Sequence, residues 1–254
     1  MIMTKENSLS LKQVWMIALE GISQDLTAAL SSAFFFCFGL AAFQFVFTYG
    51  PLLLLPQPLD ENMILFQRAC EAIWGILLSI LYSMIIPFAV YRTKGHYKNM
   101  SLMGFIQKHM KLVSIETLRT LPVIVLHLVL FVIPGLVKMI RLIFVPFVVQ
   151  IHRPYQNGKV DALKESAHLT NGSFAGIASF YFISQIIIVV IVMAIPSAIQ
   201  KSIGYDGASA QNLIIDFVFN VPIGVVIELA AAVGLLRIFE KLVILKEGPN
   251  ELAF

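Results

Sequence analysis

Charge is what this chain has least of. Asp, Glu, Lys and Arg make up only 13% of the residues, against 58% apolar types, whereas about a quarter of a soluble domain is charged. So few polar side chains could not cover a water-soluble fold of 254 residues, and a mean hydropathy of +0.84 points to a polytopic membrane protein. Cysteine is nearly missing too. Cys37 and Cys70 lie at unmatched depths in two apolar runs, without a CxxC or a neighbouring histidine pattern, which disfavours a disulfide or a thiolate metal site and leaves small apolar packing residues.

Other absences narrow the function. Residues 1–25 lack the continuous apolar core of a signal peptide, and the first such run outlasts an h-region, so the first span is expected to stay in the mature protein. HExxH, GxSxG, a Walker loop and a glycine fingerprint between strand and helix are all missing. No enzyme activity and no cofactor or metal is expected. His152-Arg153 hints at phosphate handling, but with no carboxylate pair or second histidine beside it in sequence it reads as a helix end. No basic surface interleaved with aromatics speaks for nucleic acid.

What is present is a series of apolar runs, each near the roughly 20 residues needed to cross a bilayer. They cover 27–55, 70–91, 118–133, 136–151, 173–198 and 213–236, with Arg68 and Glu71 spaced to pair at the mouth of the second. The third and fourth runs are short and separated by Pro134-Gly135, and Pro122 and Pro146 could kink them. They fit either two full crossings or a re-entrant hairpin. Three amphipathic segments, 9–24, 101–114 and 158–171, precede pairs of runs and read as interfacial helices. Ser10 with Gln13 forms a capping-box pattern, and Trp15 would sit at the headgroups of an interfacial helix, although an ordinary helix packed under the bundle fits equally. The expected architecture is all-α: one integral membrane domain over 1–254, with about six transmembrane or re-entrant helices and three interfacial ones.

Fourteen of the 18 cations fall on one side of this layout, leaving Arg68, Lys138, Arg141 and Lys201 on the other. The bias predicts cytoplasmic N- and C-termini. The basic loop from Arg92 to Lys111 would lie against anionic lipid, at about 1 kcal/mol per cation near the surface. A weak repeat also shows: Ser10/Ser101, Leu11/Leu102, Ser23/Ser114, Asp25/Glu116 and Leu30/Leu121 correspond between the first two units.

Polar residues within apolar runs are costly and usually face the bundle interior. Glu228 lies in the last run, in a stripe with Asp216, Asn220 and Gly224 at intervals of four, and His127 lies in the third run. Glu228 with His127 or Arg141 could form a proton-linked or substrate site. Alternatively, Glu228 is protonated or paired and helps helices associate, with Gly224, Ala230, Ala231, Ala232 and Gly234 allowing close approach. Snorkelling to lipid phosphates is the default for Lys138 and Arg141.

The pattern Pro134-Gly135, Arg141, Pro146, then Ala162-Leu163-Lys164-x-Ser166-x-x-Leu169-Thr170-x-Gly172-Ser173-Phe174 resembles the membrane domain attached to some glycerophosphodiester phosphodiesterases, and its stand-alone bacterial relatives. The match is specific over 133–174 and topological elsewhere. The resemblance implies a helical bundle of about six spans in the bacterial inner membrane. In the fused proteins catalysis belongs to a separate soluble barrel, so no catalytic residue is carried over. Within the motif, Ala162 and Leu163 would bury, Ser166 and Thr170 would cap or bond backbone, and Gly172 would end the helix so that Ser173 caps the next. The expected role is a non-enzymatic accessory or scaffold protein, with membrane lipids, protein partners or a second copy as its company. The alternative is a transporter or binding protein for a lipid or small amphiphile around Glu228.

Overall fold

Hydropathy marks where a helix changes surroundings, and two of the longest helices here run straight through such changes. The computed structural model describes residues 8–54, 61–191 and 216–253. Helix α1, Leu11–Leu54, is a single run of 44 residues, so the segment expected to lie apart at 9–24 is the first third of the helix that continues through 27–55. Helix α3, Leu102–Leu130, likewise joins 101–114 to 118–133. No Pro or Gly interrupts either junction, and a change of side-chain polarity alone does not end a helix. Trp15 packs against the helix Phe174–Val189: its Nε1–H donates to Ser179 Oγ at 3.0 Å and its ring meets Phe180 edge-on.

The remaining elements are α2 (Glu61–Thr93), α4 (Val132–Arg141), α5 (Val145–Ile151), α6 (Arg153–Gln156), α7 (Ala162–Thr170), α8 (Phe174–Val189), a π turn (Asp216–Asn220), α9 (Val221–Lys246) and a 3-10 turn (Pro249–Glu251). Among the described residues there is no strand, only an isolated bridge between His152 and Leu252. Four stretches are long and apolar enough to cross a membrane: Leu11–Phe47, Leu102–Leu130, Val132–Ile151 and Val221–Lys246. A fifth arises if α7 and α8, bent by 98°, count as one. The ends of the expected runs at 192–198 and 213–215, with the loops that hold Asp60 and Lys201, lie outside the described residues, as does the Arg68–Glu71 pairing.

Pro134-Gly135 does not mark the break it was expected to mark. The chain turns at Phe131, which is extended (φ −156°, ψ 120°), because a proline ring clashes with the carbonyl four residues earlier and forces the preceding helix to stop upstream. Pro134 then sits in the first turn of α4, where its missing N–H costs nothing. Gly135 is needed for contact rather than for turning: a Cβ there would lie 2.5 Å from Leu128 Cγ and 2.8 Å from Leu128 Cα. The run 136–151 is also not one helix, since Leu142–Phe144 form a turn and Pro146 starts α5 instead of kinking it.

That second break explains the serine of the motif. Ser166 Oγ donates to the Arg141 carbonyl at 2.8 Å and accepts the Phe144 N–H at 3.2 Å, so α7 satisfies backbone groups freed between α4 and α5. Helix α7 begins at Ala162, later than expected, capped by Asp161 Oδ1 accepting the N–H groups of Leu163 and Lys164. Gly172, at φ +82°, ends it as expected of a residue beyond a C-cap. Ser173, however, does not cap α8; its Oγ accepts the Leu9 N–H at 2.7 Å and ties the start of the described chain to the α7–α8 corner.

Burial is concentrated at this end. Val145, Phe147, Val148, Val149, Gln150 and Ile151 of α5 are all buried, inside a shell of α2, α3, α6 and α7. Away from it the helices present bare apolar faces, with Phe35 83% exposed on α1 and Val129 78% exposed beside the α3–α4 turn. Gly135→Ala should destabilise the protein by about 1–3 kcal/mol, the usual cost of overpacking, whereas Gly39→Ala, where a Cβ meets nothing within 4 Å, should be neutral or stabilising. Thermal unfolding of the two variants in one detergent, giving equal midpoints, would refute the close approach at Gly135.

Candidate functional site

Charged and polar residues gather at the α5–α7 end in three clusters. The first joins α1, α2 and α9. Asp25 and Glu240 are buried, and Arg237 bridges them, pairing with Asp25 and with Glu240 at 2.6 Å. Tyr91 donates a short hydrogen bond to Glu240, and Lys94 approaches Asp25 at 3.5 Å. The arrangement depends on Gly21, where a Cβ would fall 2.2 Å from Arg237 Cγ. Any side chain there would push the guanidinium stem out of the α1–α9 contact.

The second cluster links α3, α6 and α7. Arg119 pairs with Glu116 at 2.6 Å and with the Asp161 cap at 2.9 Å, and the Tyr155 hydroxyl donates to Glu116 at 3.2 Å. Burial works to raise the Asp161 carboxyl, but Arg119 and the two capped N–H groups hold it below its ordinary value. Beside this cluster a cavity of about 500 Å³ opens, with Lys108, His109, Tyr155 and Gln156 among its lining.

The third cluster draws on α5, α7 and α9. His152, wholly buried, ends α5, and its Nε2 lies 2.6 Å from Glu247 Oε2 at the end of α9. Glu165 of α7 stands against Glu247. Burial, followed by the neighbouring Glu247, pushes the Glu165 carboxyl up to about 8. Burial pulls Glu247 the same way, but hydrogen bonds from His152 and Glu165 hold it below its usual range. The donor atoms of His152, Glu165 and Glu247 all lie within 4.8 Å of one another, a set that could hold a cation.

The residues singled out by hydropathy contrast are not brought together. Glu228 lies on α9, half-buried. His127 instead turns its Nδ1 onto the Val123 carbonyl one turn back, at 2.6 Å. Arg141 is exposed at the end of α4, and its carbonyl is held by α7. Helices α3 and α4 form a hairpin packed on α2, α5, α7 and α8, while α9 is packed chiefly on α1, α2 and α8. Asn220 closes the π turn before α9, and Asp216, whose side chain lies outside the described set, opens it. Gly234 does allow close approach, since a Cβ there would meet Phe180 Cζ at 2.5 Å.

What the sequence concealed were Asp25, Arg237 and Glu240, and the partners of His152. Each sits at the polar margin of an apolar run, where charges are commonplace. His152 was set aside for want of a carboxylate pair nearby, and the pair is supplied from helices remote in the chain. Its one local signal was the placement of a histidine between a buried helix and a Pro.

Removing one partner from a buried ion cluster leaves the others uncompensated, at about 3–5 kcal/mol. Arg237→Met should therefore cost about that much in equilibrium unfolding of the detergent-solubilised protein. A loss below about 1 kcal/mol, the range of exposed ion pairs, would show that the α1–α9 pairing is not structural. Comparison of the chain with models of known families, with curated proteins and with solved structures finds no match.

Proposed function

We propose that this chain is a non-enzymatic integral protein of the bacterial inner membrane, with both termini cytoplasmic, acting as an accessory or scaffold subunit of a larger membrane assembly. The observation that carries the reading is how its polar residues are used. Arg237, Arg119, Lys94, Asp161, Glu116 and Glu240 are all engaged in pairs within the chain, and Lys246 Nζ donates to the His168 and Asn171 carbonyls at 2.7 and 2.8 Å. A catalytic or transport site needs polar groups directed at a ligand; these are directed at each other. What the chain presents outward is apolar helix surface, suited to lipid and to other membrane helices. The likeness of 133–174 to the membrane domain of glycerophosphodiester phosphodiesterases fits such a companion role.

The α3–α4 hairpin is read as re-entrant. Helix α4 has 10 residues, about 15 Å at 1.5 Å per residue, or half of a hydrocarbon core of about 30 Å. A full crossing would leave Lys138 and Arg141 in hydrocarbon and put Leu130, Phe131, Val132 and Ile133, all exposed, into water. With the tip inside the bilayer, both cations reach the headgroups on the side of α7. The turn is fit for this, because Phe131 N–H donates to the His127 carbonyl and Gly135 N–H to the Phe131 carbonyl.

A second reading, binding or transport of a lipid or small amphiphile, is favoured by Glu228 standing half-buried within the apolar helix α9. Extraction into native nanodiscs followed by mass analysis separates the two. Stoichiometric protein partners, retained in Glu228→Gln, are expected; a lone monomer carrying one lipid species that Glu228→Gln loses would sink the scaffold reading in favour of the other. For the hairpin, Phe131→Cys in a chain lacking Cys37 and Cys70 should resist a membrane-impermeant maleimide from both faces of sealed vesicles and react once unfolded. Labelling from the face opposite the termini would establish a full crossing instead.

A further inference from the structure

We propose that His152, Glu165 and Glu247 form a binding site for one first-row divalent transition-metal ion, which fastens α5, α7 and α9 together at the polar end. The inference is independent of the accessory role. Three features of the site carry it.

First, the donors converge from three elements. His152 leaves α5 at φ −95°, ψ 110°, Glu165 lies in the first turn of α7 and Glu247 follows α9. Their ligand atoms all fall within 4.8 Å of one another, near enough for small side-chain adjustments to set them around one ion with bonds of about 2.0–2.2 Å. The backbone at His152 is braced on both sides: Leu252 bridges it, and the Ala253 N–H donates to the Ile151 carbonyl at 2.8 Å. The tail therefore closes over the histidine.

Second, the cluster is largely buried and incompletely satisfied. His152 is 0% and Glu165 8% exposed, and Glu165 Oε1 is buried without a hydrogen-bond partner. Two carboxyl groups in contact, one buried and the other partly so, resist ionising together unless a cation joins them. The adjacent ammonium, Lys246, is directed at the last carbonyls of α7.

Third, the donor set selects the ligand. One imidazole and two carboxylates balance the charge of a divalent ion and suit zinc, manganese or iron, whereas calcium and magnesium prefer oxygen alone and copper(I) prefers sulfur.

The test uses the full chain in detergent, stripped with chelator and titrated with Zn²⁺ by calorimetry, with metal content counted after gel filtration. One Zn²⁺ per chain is expected, with affinity lowered at least tenfold in Glu165→Gln and in His152→Gln. No saturable binding, or stoichiometric binding unchanged in both variants, overturns the proposal. If a variant fails to fold, Co²⁺ added to the unaltered protein decides: visible absorption characteristic of nitrogen and oxygen ligation, abolished by equimolar Zn²⁺, supports the site, and its absence refutes it.

Discussion

The buried ion cluster of Asp25, Arg237, Glu240 and Tyr91 sets the register of the long helices. Among apolar helices in lipid, hydrophobic contact gives little preference for one alignment over another, because lipid tails are as apolar as Leu or Ile. A pair of buried charges does give a preference. Sliding α9 by one turn, about 5.4 Å, would part Arg237 from Asp25 while leaving both out of water, a cost of several kcal/mol that no lipid contact offsets. Gly21 makes the alignment sterically possible, and Tyr91 and Lys94 bring α2 to the same point.

Around this cluster, the places where the chain breaks helical geometry are also the places where elements are tied together. The turn between α4 and α5 frees a carbonyl and an N–H, and Ser166 of α7 takes both. The end of α7 frees carbonyls that Lys246 of α9 takes. The corner before α8 presents the Ser173 hydroxyl to the Leu9 N–H. Buried backbone groups must find partners, so each break recruits a distant segment. Most of the long-range polar bonding among the described residues therefore lies at one end, while Phe43 and Phe47 of α1 and Ile186 and Val189 of α8 are exposed apolar surface.

Much of this was legible in the sequence where a local rule governs. The Ser10–Gln13 box forms reciprocally, Ser101 caps α3, and Gly172 ends α7 with a positive φ. Helix continuity was not legible, because α1 and α3 run through a change of side-chain polarity without any backbone signal that ends a helix. Partnership was the other hidden quantity. Glu228 attracted attention by contrast with an apolar run, whereas Glu240 and Glu165 sat among other charges at helix ends and did not. Contrast locates a residue that is costly where it stands; it does not locate the residues a fold has gathered.

The partial repeat illustrates the difference. Helices α1 and α3 both start at a serine cap and carry a buried acid, Asp25 or Glu116, at the same distance from it. In α1 that acid is met by α9 and α2, so α1 cannot move without them. In α3 it is met first by Arg119 on its own helix, and the charged tie from there runs to the α7 cap. The hairpin of α3 and α4 is consequently fixed at its base by two links to α7, Arg119 to Asp161 and the Arg141 carbonyl to Ser166, while its tip is apolar and exposed. Two similar helices thus acquire different surroundings from the location of one partner: α1 is tied by charge to α9 and α2, and α3 to the cap of α7.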